Sequence, residues 1–261
     1  MTLIDTAKII ADNDLELFVK EIFILAHEDG PKNSTLRFFA DGYPGMVYLQ
    51  SEKGLLLPRK KELTEFFLYG QMIAPFDLLM TGPYLMIVFQ LYPFASKLLF
   101  DVDPRKLNDD CHDLSEIKWA TIENPLKSLA AHSEIIVQTE IIAKFVSKLA
   151  REKGMDEYRE IQRAIQIVMD HKGIIAVNEL AKRLNATERT LRRKFNHYVG
   201  ISPKKFAKII QFQTSLEQIA TGDFSRLTDI VYENGYADQS HFIRNIKKFT
   251  GKRPLQLKNL R

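Results

Sequence analysis

The chain has a single cysteine, Cys111, among 261 residues, so no internal disulfide can form and the sequence fits a reducing cytosol. It also lacks any apolar run of the roughly 18 residues a membrane span requires, and its first residues carry no signal-peptide pattern. A cytoplasmic protein without membrane contact is expected. Enzymatic signatures are missing too: there is no phosphate loop, zinc spacing, Gly-x-Ser-x-Gly elbow or paired-carboxylate motif. The six histidines are scattered and no His-x-His occurs, so neither a metal nor another cofactor is expected. Cys111, His112 and Asp113 do place thiol, imidazole and carboxylate side by side. Sequential neighbours rarely present nucleophile and base in hydrogen-bond geometry, however, and a solvated loop leading into a helix is the favoured reading.

What the chain does have is uneven charge. The net charge is only +4, yet residues 156–261 hold 20 Lys+Arg against 11 Asp+Glu, a net of +9, whereas residues 1–155 hold 17 against 22, a net of −5. Such a split points to a basic nucleic-acid module fused to something else.

The basic part contains one design written twice. Gly200-Ile201-Ser202-Pro203 is matched 51 positions later by Gly251-Lys252-Arg253-Pro254. At the same offset Arg193 meets Arg244, Leu191 meets Phe242 and Thr187 meets Asp238; earlier, at an offset of 50, Val177, Leu180 and Ala181 meet Leu227, Ile230 and Val231. The second copy has gained one residue in its turn, at Asn234-Gly235-Tyr236. Each copy reads as helix, tight turn, helix. In the first, a helix from Asn178 to about Leu184 ends near Asn185, which tolerates the left-handed conformation, and Thr187 caps the next helix. In the second, Gly235 supplies the turn and Asp238 the cap.

The 3.6-residue period then sorts the second helix of each copy. Leu191 and Phe195 point inward, leaving Arg189, Arg192, Arg193 and Asn196 on an outer stripe. Phe242, Ile246 and Phe249 point inward in the second copy, leaving Gln239, Ser240, Ile243, Arg244 and Lys247 outside, with His241 able to reach a phosphate. Arginine can bind guanine O6 and N7 bidentately, glutamine can pair with adenine, and an exposed isoleucine can touch a thymine methyl. A charged helix face can also be merely solvated, but two capped copies with basic outer faces favour double-stranded DNA as partner.

The run from Asp229 to Arg244, then Lys247-Lys248-Phe249 and Gly251-Lys252-Arg253-Pro254, resembles the AraC/XylS transcription-regulator signature, and Leu180-Ala181 through Leu191-Arg192-Arg193-Lys194-Phe195 to Pro203 matches as well. Val231, Ile246 and Leu257 depart from the usual residues, at packing positions. The resemblance covers about 100 residues and implies seven helices, with two helix-turn-helix units joined by a long helix, here about Pro203 to Ala220. A stiff connector would hold two recognition helices about 34 Å apart, one duplex turn.

Upstream, short apolar segments are punctuated by glycine and by eight of the ten prolines. Phe18 to Ala26, Thr35 to Phe39, Met46 to Gln50, Glu65 to Leu68, Phe76 to Thr81 and Tyr84 to Gln90 read as strands, whereas residues 2–13 could be a helix or a loose tail. Phe38 to Gly45 and Phe66 to Gln71 resemble, less strongly, the cupin-like sensor barrel of some AraC-family regulators. The expected fold is therefore α+β in two domains. Residues 1–153 form a cupin-like antiparallel β-barrel with appended helices, and residues 154–261 an all-α DNA-binding domain, with Arg151 to Asp156 as a polar linker in which Gly154 stops the preceding helix.

In family members with a known effector the barrel holds a small molecule, so the resemblance implies a pocket, lined here by Phe39, Phe67, Phe89 and Leu91. A filled core would instead mean a regulator without effector, its amino-terminal domain serving dimerisation or a protein partner. Ser133 to Arg151 reads as a helix with an apolar stripe through Ile135, Ile142, Phe145 and Leu149. That stripe either packs on the barrel or joins a homodimer. RNA polymerase is a further partner the family implies.

Overall fold

A computed structural model describes residues 13–27, 34–51, 55–56, 62–80, 82–114, 125–153, 158–222, 224 and 226–257. The expectations for residues 2–12, and for the linker at 154–157 including Gly154, lie outside them. Among the described residues the amino-terminal half has a short helix α1 (Asn13–Glu16) and nine strands: β1 (Val19–His27), β2 (Ser34–Phe38), β3 (Gly45–Ser51), β4 (Leu55–Leu56), β5 (Glu62–Leu63), β6 (Phe66–Tyr69), β7 (Phe76–Met80), β8 (Tyr84–Leu91) and β9 (Cys111–Asp113). Helices α2 (Ala95–Phe100), α3 (Leu126–Ala130) and α4 (Ile135–Arg151) complete it.

The strands form two antiparallel sheets, one ordered β1-β8-β3-β6-β9 and the other β2-β7-β4-β5. Among the described residues no ladder joins the two. The six expected strands all occur, with ends displaced by at most one residue. β9 corrects the reading of Cys111 to Asp113 as a solvated loop. These residues pair with Tyr69, Leu68 and Phe67 at the sheet edge, and Cys111 is buried.

The five-stranded sheet is apolar on both faces, and strand parity divides its side chains between two cores. Met46, Tyr48, Phe66, Leu68, Ile87, Phe89 and Leu91 pack with the helices. Val47, Leu49, Phe67, Met86 and Val88 pack on the opposite face with Leu78 of the second sheet. Register explains the sorting, because residues directly opposite share a face. Phe23 faces Val88, Val88 faces Val47, and Val47 faces Phe67.

Helix α4 lies on the first of these faces. Ile142, Phe145 and Leu149 are buried within the chain, and the ring of Phe145 meets Phe66 edge-on at 5.9 Å. The apolar stripe expected to serve a homodimer is thus largely consumed by the chain's own sheet. Of the four residues, only Ile135 keeps partial exposure, while its neighbour Ile136 is exposed.

The carboxyl-terminal half contains α5 (Arg159–Asp170), α6 (Val177–Arg183), α7 (Glu188–Tyr198), α8 (Pro203–Thr221), α9 (Leu227–Glu233), α10 (Gln239–Thr250) and a 3-10 turn (Pro254–Gln256). Among the described residues, six α-helices and the 3-10 turn make seven helical elements, in the expected order. The connector α8 starts with Pro203 in its first turn, where a missing N–H costs nothing, after a Ser202 cap that accepts from the Lys205 N–H. It ends at Gly222, whose φ of 72° is the left-handed closure glycine allows. At 19 residues it is about 28 Å long.

The two halves share one helical core. Tyr158, entering α5, stacks on Phe94 with ring centroids 5.4 Å apart and meets Phe18 at 5.3 Å. Asn108 donates to the Gly200 carbonyl at 3.0 Å, and the Gln213 amide donates to the Ala40 carbonyl. The helical half is therefore seated on the sheet half, and does not hang from a linker.

Candidate nucleic-acid interface and amino-terminal cavity

Local chemistry places the two recognition helices as the repeat predicts. Asn185 closes α6 at φ 51°, and Thr187 Oγ1 accepts from the Thr190 N–H at 3.1 Å to start α7. In the second unit Gly235 adopts φ 66°, and an Asp238 carboxylate oxygen accepts from the His241 N–H at 2.7 Å to start α10. The second turn is also held by side-chain hydrogen bonds. Asn234 is buried, its carbonyl accepting from Gln211 at 2.7 Å and its amide donating to Gln218 and to the Ile230 carbonyl. The Ser215 and Tyr236 hydroxyls share a further bond of 3.2 Å. The turn is thus pinned along one side of the connector.

The connector also grips both recognition helices by their inner faces. Phe195 of α7 meets Phe206 with centroids 5.9 Å apart, and Phe249 of α10 meets Phe212 at 4.9 Å. Leu191, Phe195, Phe242, Ile246 and Phe249 are buried, as the periodicity requires. The outer stripes are exposed: Arg189, Arg192, Arg193 and Asn196 on α7, and Gln239, Ser240, Arg244 and Lys247 on α10. Arg192 is held by Glu188 one turn earlier, with N and O 3.0 Å apart.

Two residues of the second stripe sit differently from expectation. Ile243 is half-buried against the core rather than fully outward, because it follows directly on Phe242 and shares part of its packing angle. His241 is also half-buried, its ring edge-on to Tyr236 at 5.5 Å and its Nδ1 buried without a partner. This histidine is a packing residue first, which weakens its assignment to a phosphate.

A second feature lies between the sheets. A cavity of about 80 Å³ is walled by Phe23, Phe38, Val47, Phe67, Leu78 and Val88. Of the four residues expected to line an effector pocket, only Phe67 does. Phe89 and Leu91 are fully buried on the helix face of β8, and Phe39 packs with that same core. Parity decides this: Phe89 lies one residue from Val88 and must face the other way. The lining residues that went unnoticed, Val47 and Val88 among them, can be found from Phe67 once the register is known.

Asp41, Gln90, Tyr69, Asp109 and Asp110 also line the cavity. Asp41 accepts from the Tyr43 N–H at 3.0 Å and from the Gln90 amide at 2.8 Å. Burial pushes its carboxyl up to about 6, against the opposing pull of the Tyr43 N–H, Lys20 and Gln90. Burial likewise raises the Tyr69 phenol far above its ordinary value, so it stays protonated. Gly45 makes room for that ring: a Cβ there would lie 2.4 Å from it.

The loop from Ala40 to Tyr43 touches both features. Asp41 lines the cavity, whereas a Cβ on the adjacent Gly42 would come within 3.3 Å of Phe206 and Ile209 on the connector. Tyr43 reaches Met169 of α5, hydroxyl to sulfur, at 3.5 Å.

Comparison with known proteins agrees with this architecture. A family model described as a helix-turn-helix domain matches residues 180–259, and one described as a domain of unknown function (DUF6597) matches residues 7–113. Residues 180–259 thus carry a helix-turn-helix domain of the AraC type. The AraC family is not enzymatic. The chain is similar to the HTH-type transcriptional activator RhaS of Yersinia pestis (strain Pestoides F) and of Yersinia pseudotuberculosis serotype O:1b. Each is 22% identical over 144 residues, covering 55% of this chain and 52% of the relative. The match thus spans about half the length of these curated relatives. Among solved structures it is similar to ToxT from Vibrio cholerae O395, with 14% identity over 94% of this chain and 99% of that one and a TM-score of 0.47. The C-terminal domain of AraT, a response regulator from Geobacillus stearothermophilus, is 23% identical over 40% of this chain and 86% of that one, at a TM-score of 0.37. No described helix is long and apolar enough to cross a membrane.

Proposed function

We propose that this AraC-type chain is a sequence-specific DNA-binding transcriptional regulator in which α7 and α10 each enter a major groove. The observation that carries this reading is the pair of capped helices clamped to one connector through Phe195–Phe206 and Phe249–Phe212, each with an exposed polar and basic stripe. Arg189, Arg193, Arg244 and Gln239 are the base-reading candidates; Arg192, Asn196, Ser240 and Lys247 flank them. The word "activator" in the names of its RhaS relatives supports activation over repression. Residues 154–261 then form the DNA-binding domain and residues 1–153 the regulatory domain.

The cavity supports a small-molecule effector. A ligand there would press on Asp41, and the adjoining Gly42 would carry the displacement to Phe206 and Ile209 on the helix that holds both recognition elements. It can shift DNA binding only through unequal affinity for two arrangements of the halves. The test is selection from random duplexes with the full chain, then titration of the enriched site against the Arg193→Ala/Arg244→Ala variant. A shared motif lost to the double variant is expected; enrichment without a motif would overturn sequence-specific readout.

A further inference from the structure

The wall of the amino-terminal cavity is sharply divided by chemistry. Phe23, Phe38, Phe67, Leu78 and Val88 are apolar, and every ionisable lining group other than Tyr69 and Cys111 is a carboxylic acid. Among the described residues, lysine, arginine and histidine are absent from the lining. An anionic ligand would have to give up its water beside Asp41, Asp109 and Asp110 with no cation to receive it, a costly transfer. We propose that the cavity selects a compact apolar molecule carrying a protonated amine, with the ammonium group at Asp41 and the hydrocarbon among the phenylalanines. This rests on the reading above that the cavity is a ligand site.

Several observations bear on the ammonium end. Asp41 is held by the Tyr43 N–H and the Gln90 amide, so its position is set before a ligand arrives. A carboxylate has about four acceptor directions, and these two donors leave some open. Asp109 directs an oxygen to the Ile73 and Ala74 N–H groups, and Asp110 to the Cys111 N–H. Lys20 bears on Asp41 through Gln90 and is not itself among the lining residues. It donates to the Gln90 oxygen at 3.0 Å, and its ammonium lies 4.2 Å over the Tyr43 ring. Its pull does not outweigh burial, which leaves the Asp41 carboxyl raised to about 6 and a ligand cation still welcome. Aromatic walls add cation–π attraction for the same charge.

Size narrows the class. At about 80 Å³ the cavity is roughly half of the ~150 Å³ known to hold benzene elsewhere, so the ligand has few heavy atoms. Met72 and Met86 in the lining can adapt to small differences in shape.

Calorimetry or ligand-observed NMR on the full chain with n-butylammonium, 1-butanol and butyrate tests this without DNA. At pH 7.5 the ammonium should bind at least tenfold more tightly than the alcohol, and butyrate should not bind. Asp41→Asn should erase the ammonium preference while the alcohol still binds, and Val88→Trp, which fills the cavity, should abolish both. On the unaltered chain the preference should also shrink at pH 5, where Asp41 takes up a proton; Tyr43 and Tyr69 stay neutral there. A preference that survives Asp41→Asn, or butyrate binding as well as the ammonium, overturns the proposal. Alcohol binding that Val88→Trp blocks, with no ammonium preference, overturns it and leaves the effector reading standing. Failure of all three probes to bind overturns both.

Discussion

Phe206 on the connector helix meets Phe195 on the first recognition helix with ring centroids 5.9 Å apart, and both rings are fully buried. Six residues along the same connector, Phe212 meets Phe249 of the second recognition helix at 4.9 Å. One rod thus sets the position of two DNA-facing elements through two aromatic contacts.

Truncating either ring should therefore hurt more than stability. Phe206→Ala or Phe212→Ala is expected to cost about 3–5 kcal/mol in unfolding free energy. Below the unfolding transition, each variant should also bind DNA less tightly, since one recognition helix loses its seat. Denaturant titration beside fluorescence anisotropy would separate the effects. Unchanged affinity in a folded variant would show that these contacts do not set helix placement.

The arginines of the outer stripes should divide by role. If Arg193 or Arg244 contacts guanine, its replacement by alanine should cost about 1–3 kcal/mol, concentrated on one base pair of the site. Equal losses on every sequence would place that arginine on phosphate. Arg192, already paired with Glu188, should show a smaller loss.

Affinity should fall steeply with salt, because each phosphate neutralised releases counterions. Removing Lys247 should reduce the slope of log affinity against log salt by about one if it contacts one phosphate. A flat response in the unaltered protein would contradict the proposed interface.

Gly200 and Gly251 occupy equivalent places in the two repeats, at φ 81° and 72°, yet their surroundings differ. A Cβ at Gly251 would meet nothing within 4 Å, whereas one at Gly200 would lie 2.6 Å from the backbone of Pro104. Gly251→Ala should cost about 1–2 kcal/mol, the left-handed penalty alone. Gly200→Ala should cost more and should loosen the seating of the two halves, visible as faster proteolysis between them. Equal costs would mean that the close approach at Pro104 yields easily.

Asp41 gives a pH dependence with a definite sign. Its carboxyl stands at about 6 in the folded chain, chiefly through burial, against about 3.9 when unfolded. Between those values the folded state binds the extra proton, so this contribution is complete below about pH 4 and is lost as pH rises through about 6. Asp41→Asn should flatten that part of the stability curve. Denaturant unfolding at pH 4.5 and 7 would check it, and a profile unaltered by the substitution would sink the assignment.

Much of the helical half was legible because its rules are local. Thr187 and Asp238 cap from their own side chains, Asn185 and Gly235 turn by their own backbone preferences, and the 3.6-residue period separates Phe195 from Arg193 without knowledge of any partner. The sheet half was legible only as strands. Phe67 and Phe89 look alike in sequence, yet one walls the cavity and the other fills the helical core.

The amino-acid sequence alone thus determined the duplicated helix-turn-helix, its caps and connector, and the polar faces, since all of these follow from spacing within a few residues. The tertiary structure alone decided which side of each strand faces the cavity, that Ile142, Phe145 and Leu149 belong to the chain's own core, and that Gly42 bears on Phe206 across 164 positions. Period-two alternation names two faces without saying which is which. Only pairing with distant strands and helices assigns them.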